Sequence, residues 1–226
     1  MKAYTSEFLG TFCLVFCGTG AIVIDETHAH AVTHTGVALS FGLIVMAMIY
    51  SFSETSGAHI NPAVTLALGA AGQFPRRQIL PYLVSQLAGA LLASGVLHAL
   101  FPGSATLGAT LPHGSPWQSL ILEFFLTYLL MLVILRVSAG PASIRPLAGI
   151  VIGGVVLLEA QFAGPVSGAS MNPARSLAPA LVSGHLEYSW IYLLAPISGA
   201  LAAVYTQLLL NTTANEPPKK DPVRVH

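Results

Sequence analysis

Residues 57 to 65 read Gly-Ala-His-Ile-Asn-Pro-Ala-Val-Thr, and residues 168 to 176 read Gly-Ala-Ser-Met-Asn-Pro-Ala-Arg-Ser. Each copy centres on the same three groups, Asn61-Pro62-Ala63 and Asn172-Pro173-Ala174. Asn is a favoured helix N-cap, and Pro fits the first helical position, where its missing N–H costs nothing. Each phrase therefore predicts the start of a helix, whose end carries about +0.5 charge and up to four N–H groups without helical partners. If the Asn caps with its side-chain oxygen, its NH₂ group stays free to donate to a passing oxygen atom. Such chemistry orients neutral, oxygen-bearing molecules and disfavours cations, including a travelling proton. A water held by both asparagines donates only outward, so a proton wire through it is broken.

Bond-making chemistry has no comparable support. No nucleophile stands with a base, and no GxxxxGK[ST] loop offers an energy source. The sequence therefore predicts no enzyme and calls for no cofactor and no resident metal. Cys13 and Cys17, four apart on the first apolar segment with no second pair, read as packing residues. His28, His30 and His34 cluster in one link, with His113 and His185 in others. They have the residue type of a pH sensor or metal site, but the expectation is a solvated loop.

The elements that must position the two phrases are set by composition. The 226 residues are 54% hydrophobic and 8% charged, with a mean hydropathy of +0.72, against roughly 25% charged residues in a soluble domain. This is the composition of a membrane protein. Nine basic residues balance nine acidic ones, so no basic field invites nucleic acid. Apolar stretches at roughly 5 to 24, 35 to 52, 79 to 101, 116 to 137, 147 to 163 and 190 to 211 each suit a hydrocarbon core of about 30 Å. The first lacks a small-residue cleavage pattern and reads as a retained span.

The charges orient these spans. Lys2, Arg76, Arg77, Arg136, Arg145, Lys219, Lys220 and Arg224 all fall at the N-terminus, in alternate links or in the tail, whereas links 25 to 34, 102 to 115 and 183 to 189 hold no Lys or Arg. Positive charge favours the cytoplasmic side, which predicts cytoplasmic N- and C-termini. Arg175 alone is left over. The tail, 213 to 226, is polar and proline-bearing and is predicted to be disordered.

The apolar pieces after the two phrases, 63 to 70 and 174 to 182, are too short to span. They read as half-helices beginning inside the bilayer, where non-helical backbone survives only if buried in protein or lining a water-filled cavity. A second match, SEFLGTF at 6 to 12 and LEFFLTY at 122 to 128, places Glu7 54 residues before Asn61 and Glu123 49 residues before Asn172. Two copies of a three-span unit result, about 1 to 101 and 116 to 212. Three is odd, so the second copy enters from the opposite side and the half-helices meet near the midplane. The predicted fold is an all-α membrane protein: six transmembrane helices plus two re-entrant half-helices in an inverted repeat, forming one channel domain over 1 to 212. Gly and Ala in GALLASG (89 to 95) and GIVIGG (149 to 154) suit close helix packing in lipid.

With both Asn-Pro-Ala motifs, Arg175 after the second and the paired Glu7 and Glu123, the sequence resembles the major intrinsic protein superfamily of aquaporins and aquaglyceroporins over roughly residues 4 to 212. FAGPVSGASMNPARSLAPAL (162 to 181), with Ser176, Ala180, Tyr192 and Leu193, looks like the plant nodulin-like branch and its bacterial relatives. The resemblance implies a homotetramer with one pore per subunit in a plasma (inner) membrane. It implies passive passage of water and small neutral solutes, such as glycerol or boric, silicic or arsenous acid. It also implies that Glu7 and Glu123 accept hydrogen bonds from the re-entrant loop of the opposite motif or of their own, and that His59 lies at the cytoplasmic pore mouth.

By spacing from the motif asparagines, the family's narrowest point falls at Phe41, Ala160, Ala169 and Arg175. Strict water channels resemble Phe, His, Cys and Arg there. Two alanines widen the opening and remove a donor, which favours solutes larger than water. Retained Phe41 leaves a water-selective pore as the alternative. A buried arginine needs carbonyl partners or water, and its fork repels cations while binding hydroxyl oxygens. Glu159, beside Ala160, is expected to make a buried hydrogen bond rather than face the pore. It is also the one candidate ion site for a secondary active transporter, a competing class along with a non-conducting scaffold.

Overall fold

The structure is a computed structural model that describes residues 1–141 and 143–214. Among these residues it has eight α-helices and no strand: α1 (Lys2–Thr27), α2 (Thr33–Ser56), α3 (Pro62–Ala70), α4 (Arg76–Leu100), α5 (Pro116–Ser138), α6 (Ala148–Ser167), α7 (Pro173–Ser183) and α8 (Ser189–Ala214). Six are long and apolar enough to cross a membrane. The other two, α3 with 9 residues and α7 with 11, reach only about 14 and 17 Å at 1.5 Å per residue, half a bilayer.

The outside is apolar and the inside carries the polarity. Leu80, Phe125, Leu158 and Leu194 are exposed, whereas Glu7, Gln86, Glu123, Glu159 and Arg175 are buried. This inverts a soluble protein and is what a lipid solvent demands.

The inverted repeat is visible in matched contacts. α1 packs on α4 and α5 on α8, while α2 and α6 pair across the halves. At the first two crossings a glycine permits backbone contact: a Cβ on Gly89 would lie 2.1 Å from the Phe8 carbonyl oxygen, and one on Gly199 would lie 2.2 Å from that of Phe124. Gly42 and Gly153 do the same for α2 and α6, reciprocally, at 2.7 and 2.6 Å. Half-helix α3 packs on α8 and α7 on α4, so each half holds the other's short helix.

Several helices outrun their apolar stretches because helical hydrogen bonding continues into polar flanks. α6 continues through Pro165 to Ser167. Proline cannot donate to the carbonyl four residues back; His34 Nε2 donates to that carbonyl, Gln161 O, at 2.6 Å. α8 runs to Ala214, past the predicted domain end at 212, since no breaker precedes Pro217. Most of the predicted tail, 215 to 226, with Lys219, Lys220 and Arg224, lies outside the described residues.

Candidate functional site

Each repeated phrase is a short strained loop followed by a capped half-helix. α2 ends on Gly57 with φ of 85° and α6 on Gly168 with φ of 84°, a left-handed conformation that glycine adopts freely. The following loops hold non-glycine residues at positive φ: Ala58 at 47° and Ile60 at 42°, Ala169 at 41° and Met171 at 54°. Such conformations persist only where their surroundings over-determine them.

The two buried glutamates do this. Glu7 accepts from the backbone N–H groups of His59 (2.9 Å) and Ile60 (2.7 Å), from Ser56 Oγ (2.7 Å) and from Gln86 Nε2 (2.7 Å). Glu123 accepts from the N–H groups of Ser170 and Met171 and from Ser167 Oγ, all at 2.8 Å. Each glutamate holds the loop of its own half, which decides the question the sequence left open. Tyr82 and Tyr192 brace the same turns, donating to Ser56 O at 2.9 Å and to Ser167 O at 2.6 Å.

Asn61 and Asn172 are the N-caps of α3 and α7. Asn61 Oδ1 accepts from Ala63 N at 2.9 Å, and Asn172 Oδ1 from Ala174 N at 3.0 Å and Arg175 N at 3.3 Å. Pro62 and Pro173 take the first helical positions. The NH₂ groups are less free than the sequence suggests. Asn61 Nδ2 donates to Met171 O at 2.8 Å, and Asn172 Nδ2 to Ile60 O at 2.9 Å. Since an amide NH₂ has two hydrogens, one from each Asn latches the opposite loop and one is left without a protein partner.

A cavity of about 180 Å³ passes these elements, lined by the polar and aromatic groups Phe41, His59, Asn61, Asn172 and Arg175, by Ala169, and by Val45, Ile49, Leu130, Ile152 and Val156 along the spans. Arg175 is 1% exposed; Nη1 donates to Gly108 O at 2.9 Å, and Cζ lies 5.0 Å from the Phe41 ring centroid. No other nitrogen of its side chain has a protein acceptor among the described residues. Ala169 borders the same space, whereas Ala160, 7% exposed, lies one turn beyond Val156 and outside the lining. Three of the four filter positions are thus brought together on the cavity, and the fourth continues the strip of Ile152 and Val156 one turn further along α6.

His59 lies on the cavity with Nδ1 3.1 Å from Thr65 Oγ1, and its ring meets Phe74 at 4.7 Å and Tyr82 at 5.1 Å between centroids. In the second half Ser170 and Ser176 occupy the matching places and hydrogen-bond each other, with Thr110 Oγ1 donating to Ser176 Oγ at 2.8 Å.

Glu159 departs from expectation: it is fully buried, yet neither oxygen has a hydrogen-bond partner among the described residues, and it is not among the cavity-lining residues. The loop histidines form no metal-binding group among the described residues. They serve locally, His34 at Gln161 and His30 beside Asp25, whose Oδ1 caps α2 through Val32 N and Thr33 N.

Sequence reasoning overlooked Ser56, Ser167, Tyr82, Gln86 and Gly108. The first two were detectable, because a Ser precedes the Gly-Ala that opens each phrase. Gln86 has no counterpart in the second half, and Gly108 acts through its carbonyl, which no residue type advertises.

These features describe a multi-pass membrane protein whose two half-helices meet beside a buried cavity. Residues 1–206 match the family described as Major intrinsic protein. The chain is 47% identical to Aquaporin NIP1-4 of Oryza sativa subsp. japonica over 95% of this chain and 79% of that protein. It is 41% identical to Nodulin-26 of Glycine max over 94% and 79%. Its fold matches the X-ray structure of the aquaglyceroporin from Plasmodium falciparum with a TM-score of 0.84 and 27% identity, covering 95% and 99% of the two chains. The chain belongs to the major intrinsic protein family, as a channel for water and small solutes with nodulin-like relatives.

Proposed function

We propose that the chain conducts water and small uncharged polyhydroxyl solutes passively in both directions, glycerol and the neutral boric, silicic and arsenous acids among them, and excludes protons and ions. The observation that carries this reading is the pairing of one aromatic ring and one guanidinium, Phe41 and Arg175, with methyl groups at Ala169 and, one turn along α6 from Val156, at Ala160. Arg175 retains donors without protein partners, which suit hydroxyl oxygens, and its fixed charge opposes cations. The half-helix ends add positive potential at Asn61 and Asn172.

A water-selective pore is the second reading, favoured by the short 5.0 Å separation of the Arg175 guanidinium from the Phe41 ring. The test is osmotic re-swelling of vesicles holding the purified protein. Entry of glycerol, boric acid and arsenous acid faster than into protein-free vesicles supports the first reading, and water flow alone supports the second. The working unit is proposed to be a homotetramer in a plasma membrane with both termini cytoplasmic, the orientation in which Arg76, Arg77, Arg136 and Arg145 lie inside.

A further inference from the structure

We infer that Gly18, a residue of α1 hidden behind the filter, sets the width of the pore by housing the ring of Phe41. A Cβ on Gly18 would lie 2.3 Å from Phe41 Cε1, 2.5 Å from Cδ1 and 2.7 Å from Cζ. The ring therefore occupies the space a side chain would fill. The Arg175 guanidinium lies over the same ring, with Cζ 5.0 Å from its centroid, and the ring itself lines the cavity.

The recess belongs to this half alone. Glu7 with Glu123 and Ser56 with Ser167 set the register of the two repeats, which places Ile134 opposite Gly18 and Ile152 opposite Phe41. Both isoleucines line the cavity. Where the second half fills the space between its two spans, the first half leaves it empty of side chain and sinks an aromatic ring into it. Gly18 lies one turn beyond Leu14, which borders the cavity on the same helical strip.

The consequence is directional. Restoring ordinary carbon contact of about 3.5 Å against a methyl at position 18 moves the ring by about 1.2 Å from its present 2.3 Å approach. α1 blocks one side, so the ring has to move away from α1, and Arg175 and the cavity are what border it there. Gly18 is thus a positioning residue that acts only through Phe41 and selects by size. This inference rests on the reading of Phe41 as a filter residue.

The experiment measures glycerol and water permeability of reconstituted vesicles for the wild type, Gly18→Ala, Phe41→Ala and the double variant, with surface-exposed Gly154→Ala, whose added Cβ meets nothing within 4 Å, as a control for helix composition. The expected result is a fall of about tenfold in glycerol entry for Gly18→Ala with water reduced less than about threefold, and no effect of Gly18→Ala once Phe41 is Ala. If the wild type passes water alone, the same comparison is read on water flux, with a fall in Gly18→Ala and recovery in the double variant. A Gly18→Ala protein that folds only when Phe41 is Ala also supports the inference. Unchanged permeability in Gly18→Ala, an equal loss in the Phe41→Ala background, or failure to fold in both backgrounds overturns it. Phe41→Ala alone separates the two ideas: if it leaves the glycerol-to-water ratio unchanged, the filter reading itself fails.

Discussion

Asn61 Nδ2 lies 2.8 Å from the carbonyl oxygen of Met171, the residue just before the second capping asparagine, and Asn172 returns the bond to Ile60 O at 2.9 Å. The two loops are therefore latched to each other by the same side chains that cap their helices. One amide hydrogen on each side remains for a permeating oxygen.

Replacing either asparagine with alanine removes a cap, worth about 1 kcal/mol, and leaves a buried carbonyl of the opposite loop unpaired at a further cost of about 1–3 kcal/mol. Asn61→Ala and Asn172→Ala should each lower the unfolding temperature in detergent and raise proton leak into vesicles loaded with a pH-sensitive dye. The double variant should cost less than the sum, because the four groups act as one unit. Strict additivity would mean that the latch is not cooperative.

Glu123 is the acceptor for three donors, Ser167 Oγ, Ser170 N and Met171 N. Glu123→Leu strands all three in an apolar interior and should destabilise the protein by more than about 3 kcal/mol, seen as lost monodisperse protein on extraction. Glu123→Gln keeps one acceptor oxygen and should fall between the two. Glu7→Leu behaves in the same way, with Gln86 also losing a partner.

Arg175 carries the one fixed charge of an Arg, Lys, Asp or Glu among the residues lining the cavity. Arg175→Val should open the pore and remove its barrier to cations: glycerol entry rises, and sodium and proton conductance in planar bilayers rises from background. Conductance that stays at background would place ion exclusion entirely in the half-helix ends.

The elements that decide this fold were largely legible. The Asn-Pro pairs announced both half-helices with their caps, and the Glu7 and Glu123 match announced the repeat, because capping and repetition are local signals. What escaped depends on geometry that sequence does not encode locally. Half of each asparagine amide is consumed across the pore, and the loop 101 to 115 supplies Gly108 O to Arg175. Glu159 was expected to find a partner, but its neighbours along α6 say nothing about which groups of other helices face it.

The crossings of α1 with α4 and α5 with α8 rest on backbone contact at Gly89 and Gly199, where an added Cβ meets a carbonyl oxygen at 2.1 and 2.2 Å. Gly89→Val and Gly199→Val should each cost about 1–3 kcal/mol as overpacked sites, whereas Gly154→Val, directed into open space, should leave thermal stability within about 0.5 kcal/mol. Differential scanning in detergent distinguishes them.

The most direct measurement of the channel's selectivity is stopped-flow light scattering of proteoliposomes carrying either the wild type or Ala160→His with Ala169→Cys, comparing osmotic shrinkage in water with re-swelling in glycerol, boric acid and arsenous acid. The account predicts rapid solute entry in the wild type that the double variant abolishes while water flow persists, since a ring at 160 on the strip of Val156 and a larger side chain at 169 both face the opening beside Arg175. Water flow without solute entry in the wild type would contradict it, because Phe41 and Arg175 alone would then keep the pore at the width of water.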